Sequence, residues 1–368
     1  MTAIALPNYA WLQRLNALKP SIQIQLTESE ATFEEAMVHS AFHFIDASVK
    51  QLKHDDQEYW EWHQRVMYDW MAHTVQVGNR GDIRAAAGSE RWASETPETK
   101  QALLDYLGGT GDASARLMIR VGRHLVQVFR GEMTPLELVT EDNLLSRYYM
   151  EYPKLKDRTY KHLREVSEVY ARSHPDAKIL EIGAGTGGAT KVLLQAFDAM
   201  VEQTDAEEYP HYTFTDVSTG FFPAAAAKLA SWAPDIDFCK LDIERDPEEQ
   251  GFEPGSFDLV LASLVLHATR SLYRTLTNVR KLLRPGGTLL LIETTRDVAD
   301  MQLIFGLFEG WWLSEEEDRK MSPNVSTDAW DKVMRETGFT GAEFEIRDCE
   351  DAEYQSTSLL VSSASWPL

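Results

Sequence analysis

Lys178-Ile179-Leu180-Glu181-Ile182-Gly183-Ala184-Gly185-Thr186-Gly187-Gly188 is the stretch on which the fold turns. Apolar residues of strand length run into a glycine-rich turn, and a helix over 188–197 follows. Glycine admits positive φ and carries no Cβ, so such a turn can bend sharply and let the backbone approach a ligand closely. The glycines stand at 183, 185 and 187, a G-x-G-x-G spacing and not the G-x-G-x-x-G of pyrophosphate binders. Outward from this loop, further strands are expected at 212–215, 237–241, 257–262 and 288–292. Helices at 221–232 and 272–283 separate them. Alternating strands and helices predict βαβ units and a parallel, doubly wound sheet. Two last strands are expected at 342–347 and 356–362, after a helix at 327–337. An insertion at about 296–325 carries Phe305-Gly306-Leu307-Phe308-Glu309-Gly310-Trp311-Trp312. A connection of that length is more often functional than idle.

Two acids fall in register with the loop. Asp216 closes the second predicted strand, where a carboxylate can accept from both hydroxyls of a ribose. Asp242 closes the third, where it can accept from an adenine amino group, with its apolar neighbours Leu241 and Ile243 placed to sandwich the base. Each acid alone is equally well a cap or turn residue; their joint register with one sheet is what argues for a ligand. A nicotinamide dehydrogenase is the main rival for the loop. With Glu181 ahead of the first glycine, the pattern resembles motif I of the S-adenosylmethionine-dependent methyltransferases. That resemblance implies S-adenosylmethionine as cofactor, with S-adenosylhomocysteine as product. It assigns Glu181, Gly183, Gly185, Gly187, Asp216 and Asp242 to its binding.

Ten histidines are present. His267 follows the fourth predicted strand, at the carboxyl edge where α/β sheets place ligands. Glu293 ends the next strand. Neighbouring strands can bring the two together, so that the carboxylate fixes the imidazole tautomer and leaves the other nitrogen to take a proton. His39 and His43, four apart on a predicted helix, suit a metal pair but show no third ligand nearby, and no metal site is expected. The remaining histidines lack a partner motif.

The chain has 368 residues, which fits two domains, or one large one with an appendage. Residues 1–143 read as helical: 28–51, opened by a Thr27/Glu30 capping box; 56–73; a helix that starts at Thr96-Pro97 and ends at Leu107-Gly108-Gly109; and 113–129. Residues 144–368 read as the α/β part. A net charge of −22 argues against a nucleic-acid partner or an anionic membrane surface. Two cysteines, Cys239 and Cys349, supply no disulfide framework. Met1–Pro7 lacks the basic region of a signal peptide and no apolar run is long enough for a membrane span, so a cytoplasmic location is expected. Between Leu264 and Arg296, six basic residues (Arg270, Arg274, Arg280, Lys281, Arg284, Arg296) face Glu293 alone. They could offer a cationic patch to an acidic partner.

Several stretches carry a narrower resemblance: Leu144-Leu145-Ser146-Arg147-Tyr148-Tyr149, the glycine loop through Thr190, Tyr212-Thr213-Phe214-Thr215-Asp216, Leu266-His267-Ala268-Thr269, Leu282-Leu283-Arg284-Pro285-Gly286-Gly287, and Gly310-Trp311-Trp312. With these the chain is similar to the C-methyltransferase domain of fungal highly reducing iterative polyketide synthases. The resemblance implies a helical N-terminal subdomain on a Rossmann-like core, and a His267–Glu293 pair. That pair would drive α-methylation of a β-ketoacyl chain on the phosphopantetheine arm of an acyl carrier protein, beside neighbouring synthase domains. Tyr148, Tyr149, Trp311 and Trp312 are then expected to face the substrate. Leu264 departs from the Asn expected at that position. A free-standing O-methyltransferase for a small phenol or acid, and a non-catalytic structural domain, are the competing readings.

Overall fold

The structure, a computed structural model, describes residues 10–365 except 53, 85–87 and 205–208. The Met1–Pro7 segment lies outside the described residues. Among the described residues eight α-helices precede the first strand: α1 (Ala10–Ile22), α2 (Glu28–Gln51), α3 (Trp62–Asn79), α4 (Pro97–Gly109), α5 (Ala113–Phe129), α6 (Pro135–Thr140), α7 (Leu144–Glu151) and α8 (Tyr160–Ala171), with a π-helical turn at Lys154–Thr159. The Thr27 capping box forms, with the Thr27 amide donating to Glu30 Oε2 at 2.8 Å. The second expected helix starts later than its sequence suggested. Residues 54–59 form a separate 3-10 turn. The helix opens at Trp62, where the Glu61 amide donates to Gln64 Oε1 at 2.9 Å and closes a second capping box.

The α/β part follows as β1 (Lys178–Ile182), α9 (Gly188–Thr204), β2 (His211–Asp216), α10 (Phe222–Lys228), β3 (Ile236–Lys240), β4 (Phe257–Ser263), α11 (Leu272–Leu282), β5 (Leu283–Thr294), α12 (Ala299–Phe305), α13 (Thr327–Glu336), β6 (Phe344–Arg347) and β7 (Thr357–Ser363). The seven strands lie in the order β3-β2-β1-β4-β5-β7-β6. Five are parallel, as expected, but β7 inserts antiparallel between β5 and β6, so the sheet is mixed. The physical reason is the connection: β6 and β7 are joined by a loop and no crossover helix, which permits only antiparallel pairing of neighbours.

Both faces of the central strands are buried, alternately. Ile179, Leu259, Leu261, Leu290 and Ile292 join one apolar cluster with Leu15, Met37, Leu125 and other residues of the N-terminal helices. Leu180, Ile182, Val260, Leu289 and Leu291 join a second with Leu276, Val279, Trp330 and Met334 of α11 and α13. The period-2 alternation of a strand therefore gives the helical part a continuous core with one face of the sheet. A buried ionic link adds to it: Glu34 of α2 pairs with Lys154 at 2.6 Å and Arg158 at 3.0 Å. At the carboxyl ends of β4 and β5, α7 and α12 close over the sheet with Tyr148, Tyr149, Met301 and Phe305. Among the described residues no helix is long and apolar enough to cross a membrane.

Candidate active site

The glycine loop joins β1 to α9 with φ values of 61°, 52° and 71° at Gly183, Gly185 and Gly187. The three are not equivalent. A Cβ on Gly183 would meet Val265 Cγ2 at 2.4 Å, and one on Gly187 would meet Leu229 Cδ1 at 3.1 Å, so those two serve packing. A Cβ on Gly185 would find only the Gly183 carbonyl, at 3.9 Å, with open space beyond. Of the three, Gly185 is the one that faces open space. Asp216, at the end of β2, is buried beside it; its Oδ2 accepts from the Gly185 amide at 3.0 Å and its Oδ1 from the Ser218 amide at 2.8 Å. Asp242 stands partly open just after β3, with Oδ1 accepting from the Glu244 amide. Its neighbours Leu241 and Ile243 do not flank an open cleft; they pack in the core, whereas Val217 and Phe221 leave apolar surface beside Asp216.

Glu181 lies beneath the loop, fully buried. Its carboxylate accepts from Tyr212 Oη at 2.6 Å and from Thr190 Oγ1. Burial pushes its pKa up to about 7 against the pull of those two hydroxyls. It braces the loop from below and does not present itself to a ligand.

His267 and Glu293 meet at the ends of β4 and β5. Nδ1 of His267 lies 2.6 Å from Glu293 Oε2, which fixes the proton on Nδ1 and leaves Nε2 as the free acceptor. Glu293 has no exposed surface. Its other oxygen accepts from the amides of Leu266 at 2.9 Å and His267 at 3.3 Å. The carboxylate is thereby held by three donors, which offset the cost of burying its charge.

Over this pair lies a cavity of about 60 Å³, lined by His267 with Tyr148, Tyr152, Leu264, Phe305 and Trp311 among others. The Trp311 ring meets the His267 ring edge-on at 5.5 Å and stacks on Phe305. Tyr148 is buried, stacked on Tyr152 at 4.8 Å, and burial holds its phenol well above the ordinary value, so it stays protonated. Tyr149 lines the same cavity but is largely exposed. Trp312 does not reach it. Its indole N–H donates to the Gly306 carbonyl at 2.7 Å and it packs in the apolar cluster shared with the N-terminal helices.

Sequence reasoning missed Tyr152, Met301, Phe305 and Arg319. Arg319 is 2% exposed and sits in the insertion. Its guanidinium donates to the carbonyls of His267, Thr269 (3.0 Å) and Pro323 (3.2 Å), and pairs with Glu316 at 2.6 Å. An arginine amid Asp and Glu reads from sequence as a solvated charge; only the third dimension reveals its target. Three of the six residues of the expected cationic patch pair with carboxylates, and two donate to main-chain carbonyls. Arg280 donates to Gly338, Leu283 and Ser365 carbonyls, Lys281 pairs with Asp246, Arg284 with Asp258, Arg274 with Glu315, and Arg296 donates to the Ala352 carbonyl.

Residues 180–289 match the family model described as "Methyltransferase domain". A highly reducing polyketide synthase of Leptosphaeria maculans is 43% identical over 350 residues, covering 94% of this chain and 14% of that protein. The chain spans 13–14% of the length of such curated relatives. Among solved structures, the trans-methyltransferase CalH, in complex with S-adenosylhomocysteine, superposes with a TM-score of 0.78 at 25% identity over 93% of both chains. The carbon methyltransferase of CurJ superposes with 0.71 at 26% identity over 97% of this chain and 98% of that one. The open cradle at Gly185 and the acids beside it fit the nucleoside cofactor that such proteins use. The chain is an S-adenosylmethionine-dependent methyltransferase domain, similar along nearly all of its length to one segment of the fungal highly reducing polyketide synthases.

Proposed function

We propose that this chain methylates the α-carbon of a β-ketoacyl thioester carried on the phosphopantetheine arm of an acyl carrier protein, working beside neighbouring polyketide synthase domains in the cytoplasm. In this reading residues 1–143 form the substrate-side lid and 144–368 the catalytic core, with the insertion at about 296–325 closing the cavity. The observation that carries it is the His267 Nδ1–Glu293 contact of 2.6 Å, with the His267 ring in the wall of an apolar cavity. An O-methyltransferase acting on an acidic phenol has less need of so firmly oriented a base.

S-adenosylmethionine, when bound, supplies a sulfonium methyl whose leaving thioether is neutral. Glu181, Gly183, Gly185, Gly187, Asp216 and Asp242 make its site: Gly185 gives close approach, Asp216 and Asp242 offer acceptors, and the others hold the loop. His267 Nε2 takes the α-proton, and Glu293 steadies the imidazolium that forms. The enolate carbon so formed would accept the methyl group that the bound cofactor supplies, with the neutral thioether as leaving group. Tyr148, Tyr149 and Trp311 wall the cavity and keep water from the carbanion. The protein's work is alignment and proton removal.

An imidazole removes a proton only from a carbon whose anion is well stabilised. Two carbonyls flank the α-carbon at the β-keto stage and one after ketoreduction, so methylation precedes reduction. Matched β-keto, β-hydroxy and saturated acyl thioesters of one chain length, offered with the cofactor and followed by mass spectrometry, test this. A methyl gain confined to the β-keto substrate supports it. Equal methylation of the saturated substrate, or methylation of a free phenol instead, overturns it.

A further inference from the structure

We propose that His39, His43 and Glu95 form a divalent-cation site suited to zinc, separate from the active site and independent of the function assigned above. His39 and His43 lie one helical turn apart on α2, on the same face. Glu95, the residue before the Thr96 cap of α4, supplies the third group that the linear sequence hides. Nε2 of His39 and Nε2 of His43 stand 3.0 Å and 2.9 Å from the same Glu95 Oε2. One ligand atom from each residue lies within 4.8 Å of the others.

That geometry is close to what an ion needs. Tetrahedral zinc with bonds of about 2.0–2.1 Å holds its ligand atoms about 3.3 Å apart, so each imidazole need draw back from the Glu95 oxygen by only a few tenths of an ångström, and the two ring nitrogens already lie within 4.8 Å of each other. Two imidazoles and one carboxylate favour zinc and its neighbours over magnesium or calcium, which take oxygen. The His39 ring is fixed by stacking on Trp92, with centroids 4.0 Å apart and planes at 17°. The His39 and Glu95 side chains are 16% and 21% exposed, so an ion can enter from solvent and a water can complete its shell. His43 Nδ1 is buried and has no partner. Without an outer acceptor to sharpen that ligand, binding is moderate and reversible by a chelator. A bound ion would pin the middle of α2 to the start of α4 and stabilise the fold by mass action.

The competing explanation is that the Glu95 oxygen simply accepts from two neutral imidazole N–H groups. The test uses the intact chain, stripped with a chelator and titrated with Co²⁺ and then Zn²⁺. The expected result is one ion per chain, visible absorption of four-coordinate Co²⁺ that stoichiometric Zn²⁺ abolishes, and a raised melting temperature. His267→Ala should keep all three. Glu95→Gln, which preserves size and an acceptor, should weaken binding by more than about tenfold. No uptake by the stripped chain, no four-coordinate spectrum, or equal affinity in a folded Glu95→Gln chain would overturn the proposal. Should that variant not fold, the same comparison is made with His39→Gln.

Discussion

Arg319 grips the main chain of His267: its guanidinium donates to the carbonyl of that residue and to that of Thr269 two positions on. His267, the proposed base, is therefore held from two sides. Glu293 orients its ring and Arg319, from the insertion, anchors its backbone.

Arg319→Lys keeps a charge but cannot reach two carbonyls, Pro323 and Glu316 at once. The expected outcome is a folded chain with kcat lower by about tenfold to a hundredfold, since small misplacements of a reacting group cost that much. Cofactor affinity and KM should stay within about twofold. Turnover assays beside calorimetric cofactor titration check this. A variant that loses only melting temperature, with kcat intact, would leave Arg319 a fold residue and no more.

His267→Ala should retain cofactor binding and lose about 10²–10⁴-fold in rate, the usual worth of a positioned base. From sequence, Glu293→Gln looks milder, as an orienting group. The structure argues otherwise. Oε1 of Glu293 accepts from two amides, so a glutamine keeps its oxygen there and turns its NH₂ toward His267 Nδ1. That places the ring proton on Nε2 and removes the base. Glu293→Gln is expected to be nearly as slow as His267→Ala, and single-turnover rates of both variants decide it.

The three loop glycines should separate by readout. Gly185→Ala leaves the packing untouched and strains the backbone by about 1–2 kcal/mol, while crowding the ligand's approach. Cofactor affinity should fall steeply in a folded chain. Gly183→Ala drives a methyl into Val265 and should lower the melting temperature first. Cofactor titration and thermal unfolding on the same two variants check the contrast.

Glu181 gives a pH signature. Burial raises its pKa from 4.5 to about 7, so the folded chain holds a proton there that the unfolded chain has lost. Its contribution is fully present below about pH 4.5 and is lost as pH rises through about 7. The loss amounts to about 3 kcal/mol by pH 8. Glu181→Gln accepts from Tyr212 and Thr190 without ionising. Its urea midpoint should therefore gain on the parent between pH 5 and pH 8; parallel curves would show that Glu181 is ionised in both states.

The strands and the glycine loop were legible because their information is local. Periodicity, glycine spacing and acids at strand ends each lie within a few residues. His267 and Glu293 were legible too, since parallel neighbours place their carboxyl ends together. What escaped was set by distant pairing. Trp311 and Trp312 are adjacent in sequence, yet a 3-10 turn sends one to the cavity and the other to the Gly306 carbonyl. Glu95 is hidden from His43 by 52 residues. The antiparallel entry of β7 depends on which edge of β5 was left open. The basic run from Arg270 to Arg296 was legible only as a count of charges; that Arg274, Lys281 and Arg284 each meet a carboxylate is set by the fold.

Leu264 has φ of 53°, a left-handed backbone rarely held by a branched apolar residue, and its side chain lines the cavity beside His267. Folding alone would sooner place Asn or Gly there. The consequence is a position where the usual trade between robustness and novelty runs in reverse. Most redesigns of a cavity wall spend stability, whereas Asn or Gly at 264 relaxes the main chain as it reshapes the cavity, offsetting the apolar contacts that Leu264 gives up. Libraries that vary this residue can therefore explore substrate range without first fortifying the scaffold.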